Sequence, residues 1–152
     1  MPAIRIRLAT ADDTLAVTMI AHDAYARYVP RIGRQPAPMT ADHALLIERG
    51  EVWVAVAHGS VIGFAVIRPV TGALHLESVA VSPDQQGEGV GRALLEYVEQ
   101  RARALQLPAV ELYTNALMSE NLVLYPRLGY VEIERRREHG FDRVYFRKPL
   151  AL

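Results

Sequence analysis

A chain of 152 residues is the length of one domain, and a domain of that size buries roughly 68–70% of the surface its unfolded form exposes. A hydrophobic fraction of 51% with 22% charged residues excludes a disordered, collagen-like or coiled-coil chain. Seventeen basic residues balance seventeen acidic ones. The chain is therefore not built to draw its main affinity from a phosphate backbone, and no nucleic-acid partner is expected. Cysteine is absent, which removes thiol catalysis, disulfides and thiolate metal sites together. His22, His43, His58, His75 and His139 are scattered, with no close pair at metal-ligand spacing, so no metal is expected. The opening residues alternate apolar and basic and read as a strand rather than a signal peptide. No apolar run approaches the roughly 18 residues of a membrane span, so the expectation is a cytoplasmic protein without a membrane partner.

In chain order, residues 3–8 form a short alternating strand. Thr10, with Asp13 three positions on, makes a capping-box-like start for a helix to about Tyr28. Pro30 to Met39 holds three prolines and a glycine and reads as a loop. Thr40 caps a second short helix that ends at Gly50. Glu51–Ala57 alternates, with Val52, Val54 and Val56 on one face, and His58-Gly59-Ser60 turns it into a hairpin with Val61–Val70. Thr71-Gly72 turns again into Ala73–Val81, the third strand of a meander. From Glu88 to Leu105 the period becomes helical through Val90, Leu94, Val98, Ala102 and Leu105. Pro108 opens a strand over Ala109–Thr114, and Ser119 caps a helix through Leu128, stopped by Gly129. Tyr130–Arg137 and Arg143–Lys148 are the last two strands. The order is βαα-βββ-α-β-α-ββ, and the strand-helix-strand step in its middle implies a right-handed crossover with locally parallel pairing.

The chemistry concentrates between Leu76 and Arg92, in LESVAVSPDQQGEGVGR. A strand runs into Ser82-Pro83, then a glycine-bearing loop, then a long amphipathic helix. Glycines let the backbone approach a ligand, and a first helical turn aims unpaired N–H groups and the positive end of its dipole at an anion. A P-loop requires Gly-Lys-Ser/Thr, and no lysine lies here. A dinucleotide fingerprint wants glycine where Arg92 stands, and a parallel sheet where a meander precedes the loop. What remains is the pattern Gln/Arg-x-x-Gly-x-Gly/Ala between a strand and a helix, met by Gln86, Gly89 and Gly91. Read by itself, the same segment is also a tight turn with no ligand.

On these residues the chain resembles the GCN5-related N-acetyltransferase (GNAT) superfamily over nearly its whole length. IRLATADD resembles that family's first strand and helix cap, VAVSPDQQGEGVGRALLEYVE its acetyl-CoA signature, and LYPRLGYVE its late helix-to-strand motif. The resemblance implies a mixed α/β fold with a central, mostly antiparallel sheet of six to seven strands and about four helices, one domain over residues 1–152. It also implies acetyl-CoA or coenzyme A as cosubstrate, with the pyrophosphate on the backbone N–H groups of Gln86, Gly87, Glu88, Gly89, Val90, Gly91 and Arg92. Such a loop holds several negative charges through dipoles, which suits a net-neutral protein. By the same likeness the pantetheine arm pairs with the strand edge at Val79-Ala80-Val81, freed by a bulge, and the Val79 N–H is the oxyanion donor. A plain core strand is compatible with that role, since side chains pack while backbone binds.

Acyl transfer from a thioester to an amine needs a neutral amine, donors for the oxyanion and an acid for the leaving thiolate. Tyr125 matches the family tyrosine and is the candidate acid; the alternative is a packed helix residue with a satisfied hydroxyl. Glu77 shares a strand face with Val79, and a carboxylate on an apolar strand is costly unless paired or functional. It is the candidate base, directly or through water, against a structural ion pair with an arginine. Met118 stands where the family has its asparagine; Asn121 shares the helix face of Tyr125 and is the candidate substitute cofactor contact, against a plain solvent-facing role, with Asn115 a weaker substitute. By the resemblance, acceptor specificity falls to Tyr25, Tyr28, Arg31, Arg34 and Met39, to Glu111 and Tyr113, and to His139, Asp142, Arg143 and Tyr145; the tyrosines and arginines of the first group are equally consistent with surface packing or a dimer contact. Arg135, Arg136 and Arg137 read as a solvated face or an acidic partner contact. The expected activity is acetyl transfer to a primary amine of a small molecule or a peptide N-terminus in a ternary complex, with a homodimer implied by resemblance. The other class is a non-catalytic acyl-CoA sensor or interaction module on the same fold.

Overall fold

The computed structural model describes residues 3–151; Met1, Pro2 and Leu152 lie outside them. Seven strands form a sheet in the order β1-β2-β3-β4-β5-β7-β6. They are β1 (Arg5–Leu8), β2 (Val52–Ala57), β3 (Ser60–Val70), β4 (Ala73–Val81), β5 (Ala109–Asn115), β6 (Val131–Glu138) and β7 (Phe141–Pro149). Among the described residues six α-helical segments accompany them: α1 (Thr14–Tyr25), α2 (Val29–Ile32), α3 (Ala37–Thr40), α4 (His43–Glu48), α5 (Val90–Ala104) and α6 (Ser119–Arg127). Antiparallel pairing joins β1 to β2, β2 to β3, β5 to β7 and β6 to β7, while β4 and β5 are parallel. The mixed, mostly antiparallel fold expected from the sequence is the one found. No helix of the described residues is long and apolar enough to cross a membrane.

The described residues divide into two compact units. One comprises residues up to Ile67 together with Ser78–Tyr97; the other comprises Arg68–Glu77 together with residues from Val98 on. In the first, Val17, Ile20 and Ala21 of α1 and Ile47 of α4 pack with Val52, Val54, Phe64, Val66 and Ala80 of the strands. In the second, Leu74, Leu76, Val110, Leu112, Val144 and Phe146 are buried on their strands and Val98 and Ala102 on α5.

The turns follow from local chemistry. His58 and Gly59 both take positive φ (52° and 74°), as do His139 and Gly140 (52° and 80°). Two successive residues of that kind make the tight hairpin loop whose twist matches the strands it joins. The β6–β7 turn is therefore shorter than the gap between Arg137 and Arg143 that the expected strands leave. Asp13 closes the first strand onto the first helix: its carboxylate accepts the Thr10 N–H at 2.8 Å and Arg7 Nη1 at 2.7 Å. The Arg7 hydrogen bond does most to hold that carboxyl below its ordinary range, against the opposing effect of burial.

Several other boundary expectations change, some strand ends and those of α5 by one or two residues. The helix after Thr10 is a 3-10 turn followed by α1, which ends at Tyr25, and a second 3-10 turn covers Ala26–Tyr28. The segment read as a loop from Pro30 to Met39 contains two short helical turns, α2 and α3, each with a proline in its first positions. Proline there costs nothing, because the amide it lacks has no helical acceptor. Asp42, not Thr40, caps α4, its Oδ1 accepting the Leu45 N–H at 3.1 Å. Ser119 is the first helical residue of α6 rather than its cap.

Gly63 of β3 sits in a close-packed spot of the first unit. A Cβ there would stand 2.9 Å from the Ala80 carbonyl oxygen and 3.2–3.3 Å from Leu94 and Val90. Gly63→Ala should cost about 1–3 kcal/mol through overpacking, lowering the melting temperature by roughly 2–4 °C per kcal/mol. An unchanged thermal melt would show that β4 and α5 retreat freely.

Candidate functional site

In the first unit, β4 delivers Val79, Ala80 and Val81, with Ala80 buried and the two valines half-buried. The parallel register with β5 runs through Leu74, His75 and Leu76, all of them before Val79. The Val79 carbonyl oxygen accepts the Tyr25 hydroxyl at 2.9 Å, and the Val81 carbonyl accepts Gln86 Nε2 at 3.3 Å. Tyr25, expected among the acceptor-specificity residues, is thus the last residue of α1 and bound to the strand expected to take pantetheine.

Gln86, Gly87, Glu88 and Gly89 are exposed. Gly87 and Gly89 both sit at φ +83°, with nothing within 4 Å of where a Cβ would be. Only glycine takes that conformation without strain. α5 then starts at Val90, and its first intrahelical bond runs from the Ala93 N–H to the Gly89 carbonyl at 3.0 Å. The N–H groups of Val90, Gly91 and Arg92 accordingly have no helical acceptor. Gln86 differs: its N–H reaches the Pro83 carbonyl at 3.5 Å, closing a 3-10 turn. Gly91, with φ outside the left-handed region, has its missing Cβ 3.7 Å from Val81 Cγ2. An exposed, left-handed double-glycine loop on the dipole-positive end of a 15-residue helix fits the phosphates of coenzyme A.

In the second unit, strand alternation separates two faces. Even-numbered Val110, Leu112 and Thr114 of β5 and Val144 and Phe146 of β7 are buried. On the other face, register places Glu111 opposite Arg147, Tyr113 opposite Tyr145 and Asn115 opposite Arg143. His75 and Glu77 of β4 are two residues apart on one face. His75 Nε2 lies 2.7 Å from Glu77 Oε2, and Arg68 Nη2 lies 3.3 Å from the same oxygen. The Tyr113 hydroxyl donates to Oε1 at 3.1 Å. Burial pushes the Glu77 carboxyl up, but His75, Arg68 and Tyr113 together outweigh it and hold it below its ordinary value. The Tyr113 hydroxyl is pushed well up, first by its own burial and then by the Glu77 charge.

Tyr113 stacks on His75 with centroids 5.9 Å apart and planes at 20°, and it meets Tyr145 at 5.6 Å. The Arg143 guanidinium carbon lies 4.2 Å from the centroid of the Tyr113 ring. The Tyr145 hydroxyl donates to Glu138, the last residue of β6.

Tyr125 is buried on α6, its ring 5.5 Å from Tyr130 and 5.8 Å from Phe146. Asn121 donates through Nδ2 to Thr114 Oγ1 at 3.0 Å and lies 3.8 Å from the sulfur of Met118, itself buried. Asn115 accepts the Leu117 N–H at 2.8 Å and shapes the turn into α6. Glu77, Asn121 and Tyr125 are thus described with different neighbours. Arg135, Arg136 and Arg137 pair with Glu132, Glu134 and Asp142 at 3.0, 2.6 and 3.4 Å on an exposed β6. Among the described residues no group of three His, Asp or Glu is placed to hold a metal ion.

His75 and Arg68 are the functional candidates that sequence reasoning missed. The spacing of His75 and Glu77 was a usable signal, since strand residues two apart share a face; Arg68 carried none, because only β3–β4 pairing brings it to Glu77.

Residues 48–132 match the family described as the acetyltransferase (GNAT) domain. The [ribosomal protein bS18]-alanine N-acetyltransferase of Escherichia coli K12 is 32% identical over 82 residues, 54% of this chain and 55% of that protein. The IAA acetyltransferase of Azospirillum brasilense is 32% identical over 101 residues, 64% of this chain and 66% of that protein. The chain thus spans under two thirds of the length of either relative. The solved structure of the PaiA N-acetyltransferase of Thermoplasma acidophilum in complex with coenzyme A shares the fold, at TM-score 0.79 and 16% identity over 97% of this chain and 99% of that one. The matched residues contain both β4 and the whole glycine loop, and the chain belongs to the GNAT acetyltransferase family.

Proposed function

We propose that residues 1–152 act as one acetyl-CoA-dependent N-acetyltransferase domain. It moves an acetyl group to the primary amine of a small molecule or a peptide N-terminus by direct transfer in a ternary complex. The observation that carries the reading is the exposed Gly87–Gly89 loop at the start of α5, which offers backbone donors and a helix dipole to a polyanion. Coenzyme A carries the acetyl group as a thioester. The N–H groups from Gly87 to Arg92 hold its phosphates, Val79–Val81 offer strand backbone to its amide arm, and Asn121 adds a polar contact. Glu77 takes a proton from the acceptor ammonium, the Val79 N–H donates to the developing oxyanion, and Tyr125 returns a proton to the departing sulfur. The peptide-N-terminus option gains support from the name of the Escherichia coli relative, an alanine N-acetyltransferase acting on a ribosomal protein. The proposed setting is the cytoplasm, and the proposed assembly a homodimer.

A second reading, a non-catalytic acyl-CoA-binding module, has one observation in its favour: both Glu77 oxygens are already occupied by His75, Arg68 and Tyr113. Calorimetric titration with acetyl-CoA, coenzyme A and adenosine diphosphate separates the outcomes. The first two should bind at least about tenfold more tightly than the diphosphate, since the pantetheine arm adds backbone pairing. No binding of any of the three would reduce the loop to a turn and end the acetyltransferase reading. Binding without turnover on an amine panel would favour the module.

A further inference from the structure

Arg143 is a mostly buried charge whose nitrogens still reach solvent, and its one ion pair among the described residues is long. Its side chain is 10% exposed, and its nearest carboxylate oxygen, Glu138 Oε1, stands 3.7 Å away, beyond hydrogen-bond length. That oxygen also takes the Tyr145 hydroxyl. The remaining contacts are ring faces, Tyr113 at 4.2 Å and Phe141 at 5.6 Å from the guanidinium carbon. Rings support the flat side of a guanidinium but accept none of the five N–H groups in its plane. Arg147, two residues on and on the same sheet face, is more exposed, yet it hydrogen-bonds both Glu111 and the Gly72 carbonyl. A buried cation is normally paired and hydrogen-bonded, because leaving it otherwise costs desolvation without return. Among the described residues, the Arg143 guanidinium makes an ion pair but no hydrogen bond.

Resting on the acetyltransferase reading, we propose that Arg143 receives the carboxylate of the acceptor, and that the acceptor is a free amino acid. Tyr113 sets the geometry. Its hydroxyl binds Glu77, and its ring carries the Arg143 guanidinium, so an anion and a cation stand at two sides of one phenol. A short amino acid matches that pair, its ammonium toward Glu77 and its carboxylate on the planar fork of the arginine, which suits two parallel hydrogen bonds. A neutral or polycationic amine would leave the guanidinium as it is. Arg143 is then a specificity residue that touches the substrate without taking part in proton transfer.

The test titrates the twenty common amino acids, β-alanine and γ-aminobutyrate, each beside its carboxamide, with and without coenzyme A. At least one acid should bind about tenfold or more tightly than its amide, the equivalent of one charge-assisted hydrogen bond. In Arg143→Gln the two should come within about twofold, with coenzyme A affinity unchanged. Should that variant fail to fold, Arg143→Lys is read instead, with about a tenfold loss for the acid and none for the amide. Acids and amides binding alike, none binding, or a preference that survives substitution would each overturn the proposal. Failure of the wild type to bind coenzyme A would overturn the acetyltransferase reading instead, and the acid–amide comparison without cofactor would still decide the role of Arg143.

Discussion

Glu77→Gln is expected to reduce turnover of a primary amine by about a hundredfold near pH 6, with the deficit shrinking toward pH 9, in line with the size of general-base effects. The reason is the protonation state of the acceptor. At low pH the amine is mostly ammonium and must lose a proton to Glu77 before it can attack; at high pH it arrives neutral. Folding does not blur the comparison. The Glu77 carboxyl is held below its ordinary 4.5, so the stability its partners supply is present above that value and is lost only as pH falls through the lower folded value. The measurement is a pH–rate profile of both proteins at saturating acetyl-CoA. Parallel profiles would remove Glu77 from the base role and leave it as the anchor of His75, Arg68 and Tyr113.

Tyr125→Phe should lower turnover by about a hundredfold as well, while acetyl-CoA affinity stays within about twofold. Phenylalanine keeps the ring that packs on Tyr130 and Phe146, so α6 stays in place and only the proton donor is lost. Single-turnover kinetics beside calorimetry check this, and equal turnover with chemistry rate-limiting would end the acid assignment.

Strands were legible wherever alternation was regular, and Ala73–Val81 has the bounds its pattern predicts. Val56 shows where the pattern misleads: the register slips between Ala55 and Val56, so Ala55 is fully buried and Val56 only partly. The prolines at 30, 36 and 38 read as loop formers, yet Pro30 and Pro38 open helical turns. Proline is equally at home in both settings, and the sequence does not say which it takes. The glycine loop was legible because its spacing is local. The surroundings of Glu77 were less so. Tyr113 and Arg143 were both expected near the acceptor, but their ring contact depends on β5–β7 register, which sets Asn115 opposite Arg143 and leaves Tyr113 diagonal to it. Partners that meet across strands leave no spacing to read.

The place of β7 bears on how the second unit comes into being. Although it follows β6 in the chain, β7 lies between β5 and β6 and pairs with both along their length. A ribosome therefore delivers β5, α6 and β6 before the strand that joins them exists. Until residues 141–149 emerge, β5 and β6 each wait with an unpaired edge, and Arg143 and Tyr145 are still unmade. The Tyr113–Arg143 and Tyr113–Tyr145 contacts and the closure of the sheet's backbone are completed in the same step of synthesis, so a nascent chain interrupted before Phe141 has neither.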